Sequence, residues 1–220
     1  MHSDTKTKRM KHFIFCRYNT GMFSSNVYKV SDPLTWMAHR LPKYVRLLES
    51  LAAQTNQNFT FVIAMDEKTP KEWIDSVIET TENHIKNYIL IFDIHQIWVN
   101  SIVIEEDWVI TSRIDNDDAY KPYFVDAISK AFSYKIEVLD VMGIQIDELT
   151  GKKYTSGRVR PNSPFLSFSE PNQGTLATCY DRPHSVMPDD YLARFISGET
   201  HYIQYIHDRN VTNKIQGELL

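Results

Sequence analysis

The chain reads as an α/β protein, with a mostly parallel central sheet, helices on both of its faces and a mixed, loop-rich C-terminal half. Three observations predict this. Over the first 120 residues, short β-prone apolar runs alternate with amphipathic helical stretches, which is the pattern of βαβ units. The early runs end in polar residues, where open α/β sheets place their ligand contacts. After residue 132 the apolar runs are separated mainly by turns.

Taken in order, residues 1–11 are basic and polar and read as a flexible leader. Residues 12–220 then form a single domain, with a first half to residue 120 and a second half from 121. His12 to Cys16 is a buried strand that stops at Arg17-Tyr18-Asn19-Thr20-Gly21. A loop through Asp32-Pro33 leads to a helix from Leu41 to Gln54, with Val45, Leu48, Leu51 and Ala52 on one face. Phe59 to Met65 is the second strand, ending at Asp66. Thr69-Pro70-Lys71-Glu72 predicts a helix start, with Thr69 as cap, Pro70 at the first helical position and Glu72 reaching back.

Ile74, Val77, Ile78 and Ile85 continue that helix, and Tyr88 to Ile94 is the third strand. A connection over 95–107, with a short helix near Ile97 to Ile102, leads into the fourth strand, Trp108 to Ile114. In the second half, Pro122 to Phe132 predicts a helix. Ile136 to Ile146 predicts a long strand turning at Thr150-Gly151-Lys152 into Lys153 to Val159. Phe165 to Phe168, Thr175 to Tyr180 and His201 to His207 read as strands, and Met187 opens a helix through Ile196.

The bulk numbers narrow the function. Hydrophobic residues are 42% and charged residues 24%, ordinary for a globular domain. The net charge is -4 and there is no long basic run, which speaks against a nucleic-acid partner. The two cysteines, Cys16 and Cys179, lie far apart in apolar runs and read as buried free thiols. No apolar run approaches the roughly 20 residues of a membrane span, and no signal-peptide pattern opens the chain. A cytoplasmic protein is expected, with peripheral membrane contact left open.

The chemistry gathers after the fourth strand, where WVITSRIDNDDAY ends in Asp115, Asn116, Asp117 and Asp118. Three carboxylates in four residues repel one another. A divalent cation would relieve them, and hard oxygen ligands suit magnesium, manganese or calcium. An EF-hand is excluded: counted from Asp115, positions five, six and twelve are Ala119, Tyr120 and Asp126. Arg17 stands where a haloacid-type phosphatase carries its nucleophile, and both a P-loop and GxGxxG are absent. Arg113 shares a strand face with Asp115. It either pairs with that carboxylate or reaches a diphosphate.

Five segments carry a resemblance: HFIFCRYN, ESLAAQTNQNFTFVIAMD, ITSRIDNDDAY, PFLSFSEPNQGTLATCYDRPHSVM and HYIQYIHDRNVTN. In this order, across most of residues 12–213, the chain resembles GT-A (Rossmann-like) glycosyltransferases and, more closely, the bacterial rhamnosyltransferase family. The resemblance implies a metal-dependent, inverting transfer of a sugar, with L-rhamnose suggested by the family. The donor would be a nucleoside diphosphate sugar, and the acceptor a hydroxyl of a glycan or lipid-linked molecule. It implies that Arg17, Tyr18, Asn19 and Asp66 meet the nucleotide, and that Asp115, Asp117 and His207 hold Mn2+ or Mg2+. The resemblance also implies that Asp115 reaches the ribose or a metal-bound water, and that Asp118 orients a neighbour. For the base that takes the acceptor proton, Asp190 comes first, Glu170 second and His184 third. A nucleotidyltransferase with paired aspartates, or a non-catalytic glycan-binding module on a transferase fold, are the rival readings.

Overall fold

The sheet grows outward from the first apolar run. In a computed structural model, which describes residues 8–24, 32–92, 102–156, 163–208, 210 and 214–220, β1 (Met10–Arg17) pairs in parallel with both β2 (Thr60–Met65) and β4 (Trp108–Asp115). Beyond β2 lies β3 (Tyr88–Phe92), also parallel. On the other side, β8 (Ser167–Pro171) runs antiparallel between β4 and β6 (Glu137–Asp147). The long β9 (Leu192–Ile206) then pairs in parallel with β6. Short β5 (Ala119–Tyr120) pairs antiparallel with β9, and β7 (Lys153–Thr155) with β6. The order β3-β2-β1-β4-β8-β6-β9-β5 is a mostly parallel mixed sheet, and the expected α/β architecture holds.

Alternation along the strands splits the core in two. Ile14 and Cys16 of β1, with Ile110 and Ile114 of β4, face α1 (Pro33–Ala52), α2 (Lys71–Glu82) and α3 (Phe124–Ala131) through Tyr44, Leu48, Val77 and Ile128. Phe13, Phe15 and Val109 face the other way. They are covered by Leu176, Cys179 and Met187 of a loop and the short α4 (Met187–Asp190). Helices therefore lie on both faces, but unequally. Both cysteines are buried and free.

Several local expectations are corrected. The first helix begins eight residues earlier than Leu41: Asp32 caps it by accepting from the Thr35 amide, and Pro33 occupies its first turn. Pro42 is accommodated inside the helix. Thr69 does not cap α2. Its hydroxyl donates to the Asp66 carbonyl at 2.6 Å, and Pro70 stands before the helix without a side-chain cap. Residues 175–180 form no strand, because the backbone reverses at Thr178 with φ 68°. The helix expected through Ile196 stops at Asp190, since from Leu192 the backbone pairs with β6, and ladder bonds override the helical spacing of Leu192, Phe195 and Ile196. The ends of the third strand and of the Lys153–Val159 strand, and nearly all of the helix near Ile97, fall outside the described residues.

Register places the ends of β1 and β4 side by side, with Arg17 opposite Asp115. On the far side of the sheet, Gly143 lies opposite Tyr202, whose ring occupies the space a Cβ would need. This close approach helps hold β9, and with it His207 just beyond its end, against the acidic loop.

Candidate functional site

Each carboxylate of the acidic loop is accommodated differently. Asp115 ends β4, and its carboxylate lies 3.8 Å from the Arg17 guanidinium, with both side chains about one third exposed. Asn116 turns the chain: its amide donates to the Tyr18 carbonyl at 2.7 Å, and its oxygen accepts from Arg40 at 3.2 Å. Tyr18 thus contributes its backbone, while its ring packs edge-on against Trp36 and Tyr44.

Asp117 is buried, and its Oδ2 is a meeting point. The Arg40 guanidinium pairs with it, His207 Nε2 lies 2.9 Å away, and the Asn210 amide donates at 3.3 Å. Burial pushes the Asp117 carboxyl up, but His207 and Arg40 outweigh it and hold the group below the usual carboxylate range. Arg46 donates to the Asp117 carbonyl at 2.7 Å and, with Lys43, pairs with Glu148. Asp118 is the innermost carboxylate. One oxygen accepts the Tyr205 amide at 2.8 Å and the other has no hydrogen-bond partner among the described residues. Burial, then the charges of Asp117 and Asp115, push its carboxyl well up. Two guanidiniums and one strongly raised carboxyl therefore relieve much of the repulsion for which the sequence suggested a metal.

The expected metal set comes together only in part. Asp117 and His207 meet, with side chains 5% and 4% exposed. Their 2.9 Å separation matches two neighbouring ligands of one ion, which at metal–ligand distances of about 2.1 Å lie about 3 Å apart. Asp115 does not join them, because it points to the other face of the sheet beside Arg17, and no group of three such ligands forms among the described residues. The carboxylate oxygen suits Mn2+ or Mg2+, whereas an imidazole is the commoner ligand of Zn2+, iron or nickel, and Arg40 already pairs with the same oxygen.

The expected nucleotide contacts also divide. Asn19 and Asp66 are buried and bind each other's segment: Asn19 Oδ1 accepts the Asp66 amide at 3.1 Å. The Asp66 carboxylate accepts the amides of Phe23, Ser24 and Lys68 and the Ser24 hydroxyl. Burial opposes its charge, yet those bonds hold the carboxyl below its ordinary value. In this structure Asp66 shapes the turn after β1. Arg113 makes no ion pair with Asp115. Its guanidinium lies over the Tyr180 ring, 4.8 Å from the centroid, and Arg17 approaches the same ring at 5.1 Å.

The base candidates are moved by register. Glu170 is part of β8, opposite Val109, six residues before Asp115 and so about 20 Å along the strand. Both its oxygens are engaged by the amides of Ala177 and Thr178. Glu170, the second base candidate, thus clasps the following loop at the far end of β4 from Asp115. Asp190 is exposed and faces Arg182 at 3.3 Å. It lies two residues before β9 joins the sheet level with Glu137, Ser169 and Ile110. Among the described residues, no hydrogen bond or ion pair joins Asp190 to the acidic loop.

Arg40, Arg46, Asn210 and Tyr180 were not among the expected residues. A signal for the first two existed: Arg40, Lys43 and Arg46 recur at three-residue spacing in a helix, and an acidic loop needs cations. The pairing of Tyr180 with Arg113 depends on the Thr178 reversal and leaves no local pattern.

Comparison with known proteins adds the family. The family model described as "Putative rhamnosyl transferase" matches residues 32–219. Among solved structures, S. aureus TarS superposes with a TM-score of 0.52 at 15% identity, covering 90% of this chain and 37% of that one. A second TarS structure, residues 1–349 in complex with UDP, gives 0.49 at 14% identity, covering 90% and 61%. The chain thus spans little more than a third of the longer TarS chain. No curated protein sequence matches.

Proposed function

Because the chain belongs to the rhamnosyl transferase family, we propose that it is a glycosyltransferase that moves a sugar from a nucleoside diphosphate donor to an acceptor hydroxyl at the acidic loop. The observation that carries this reading is the convergence on Asp117 of His207, Asn210 and Arg40, beside the adjoining ends of β1 and β4. Glycosyl transfer asks a site to neutralise the departing diphosphate while positive charge develops on the sugar. A cluster of cations around an acidic loop suits that demand.

Asp117 and His207 would hold a divalent ion, with Arg40 yielding its place on the shared oxygen. Bound there, such an ion supplies Lewis-acid stabilisation of the diphosphate. Arg17 adds positive charge at the end of β1, and Asn116 fixes the loop to the Tyr18 carbonyl. L-rhamnose as the sugar rests on the family description. A glycan or lipid-linked hydroxyl as acceptor, and direct displacement with inversion, complete the proposal. The anomeric configuration of the product, read by NMR, checks the last point.

A thermal-shift screen tests the core of it. UDP, dTDP and GDP, and their sugar derivatives, are compared with and without Mn2+. One nucleoside class at a hundredfold excess over its Kd should stabilise the fold by about 2.7 kcal/mol, and more with Mn2+ than without. No shift with any nucleotide overturns the reading, and stronger stabilisation by a nucleoside triphosphate turns it toward nucleotidyl transfer.

A further inference from the structure

On the face of the sheet opposite α1, one cation has no anion among the described residues. Arg113 is 6% exposed, yet among the described residues no carboxylate pairs with its guanidinium. Its backbone is held by Leu166 and Tyr120, while the charged group rests on the Tyr180 ring. Tyr180 carries a second orphan, since its buried hydroxyl has no hydrogen-bond partner among the described residues. Arg17 brings another positive charge to the same ring from the partly exposed end of β1.

A buried guanidinium without a counter-ion is unfavourable, and two guanidiniums on one ring repel each other. The surrounding fold is built to keep this arrangement. Cys179 is anchored to the Thr111 hydroxyl at 2.7 Å, and Glu170 clasps the amides just before it. These bonds fix the loop and set Tyr180 over both arginines. An oxyanion would complete the cluster, and planar guanidiniums suit phosphate oxygens.

We propose that Arg113, Tyr180 and Arg17 form a phosphate-binding subsite on the opposite side of the acidic loop from Asp117 and His207. It deepens the transferase reading, because the phosphate is either the donor diphosphate or a phosphate carried by the acceptor. Calorimetric titration of the full chain with inorganic pyrophosphate, without metal, tests it. Arg113→Met should weaken pyrophosphate binding about tenfold or more, Arg113→Lys less, and Tyr180→Phe severalfold. The apo Arg113→Met protein should melt no lower than the unmodified chain, because it loses a buried unpaired charge.

Pyrophosphate affinity unchanged in Arg113→Met, or no pyrophosphate binding by the unmodified chain, overturns the proposal. A large drop in melting temperature in both Arg113→Met and Arg113→Lys also overturns it, since that marks a structural cation. Competition between dTDP or UDP and pyrophosphate assigns the subsite to the donor, while simultaneous binding assigns it to the acceptor. If no nucleoside diphosphate binds the unmodified chain, the donor reading fails, while pyrophosphate still reports on Arg113.

Discussion

Arg40 and Arg113 flank the same acidic loop, both nearly buried, and the fold treats them differently. Arg40 comes from α1 and is committed to protein: it pairs with Asp117, donates to Asn116 and packs over Trp36. Arg113 comes from β4, and among the described residues its guanidinium rests on an aromatic face with no carboxylate paired to it. A paired buried cation holds a structure in place, and an unpaired one keeps binding energy for something else. The α1 side of the loop is thus organised by internal charge, and the side under Tyr180 is left to be completed from outside.

The largest expected effect breaks the committed side. Asp117→Ala leaves Arg40 buried without its carboxylate, which should cost about 3–5 kcal/mol of stability in urea unfolding. The double variant Asp117→Ala/Arg40→Met should recover most of that, because no buried charge is left unpaired. Mn2+-dependent nucleotide affinity should be lost in both. If Asp117→Ala is no less stable than Asp115→Ala, Arg40 is not committed to Asp117 as a buried pair.

The acidic loop and the strand feeding it were legible because both signals are local: an apolar β-prone run, then charge. His207 was legible from its place after the last strand together with the family resemblance. What could not be read was set by long-range pairing. Glu170 looked like a loop acid facing the acceptor, but the antiparallel β8 register carries it to the opposite end of β4. The helical spacing of Leu192, Phe195 and Ile196 was real, and pairing with β6 overrode it. Arg113 was narrowed by its face to two roles; Arg17 takes the Asp115 contact, and the phosphate role is the one proposed above.

A middle-sized effect tests the clasp that holds Tyr180 in place. Burial raises the Glu170 carboxyl above its ordinary 4.5, against the pull of the Ala177 and Thr178 amides. A carboxyl raised on folding contributes stability that is fully present below 4.5 and is lost as pH rises through the folded value. Glu170→Gln cannot titrate, so the stability difference between it and the unmodified chain should shift in favour of the variant as pH rises from 4.5 toward neutrality. At acid pH the amide, like the protonated carboxyl it replaces, presents one carbonyl oxygen to the two backbone donors, so the two proteins should there differ by no more than about 1 kcal/mol. Turnover per folded molecule should stay near normal, and its collapse would return Glu170 to the reaction. Urea midpoints across pH 4 to 7 and single-substrate rates measure the two parts.

The smallest effect on stability should come from Asp115→Asn, and it sharpens the contrast by its sign. The pair with Arg17 is about one third exposed on each side, so its loss should change unfolding by about 0–1 kcal/mol. Ligand binding should respond more. Removing a carboxylate beside Arg17 makes the Tyr180 side more positive, so metal-free pyrophosphate should bind severalfold tighter at low salt. The gain should fade near 1 M salt, where screening acts within about 3 Å. Nucleoside diphosphate affinity in Mn2+ should instead fall if Asp115 serves the ribose or a metal-bound water. Opposite signs in the two titrations would place Asp115 between the two subsites, whereas a fall in both would make it part of a single site and merge the two sides of the loop.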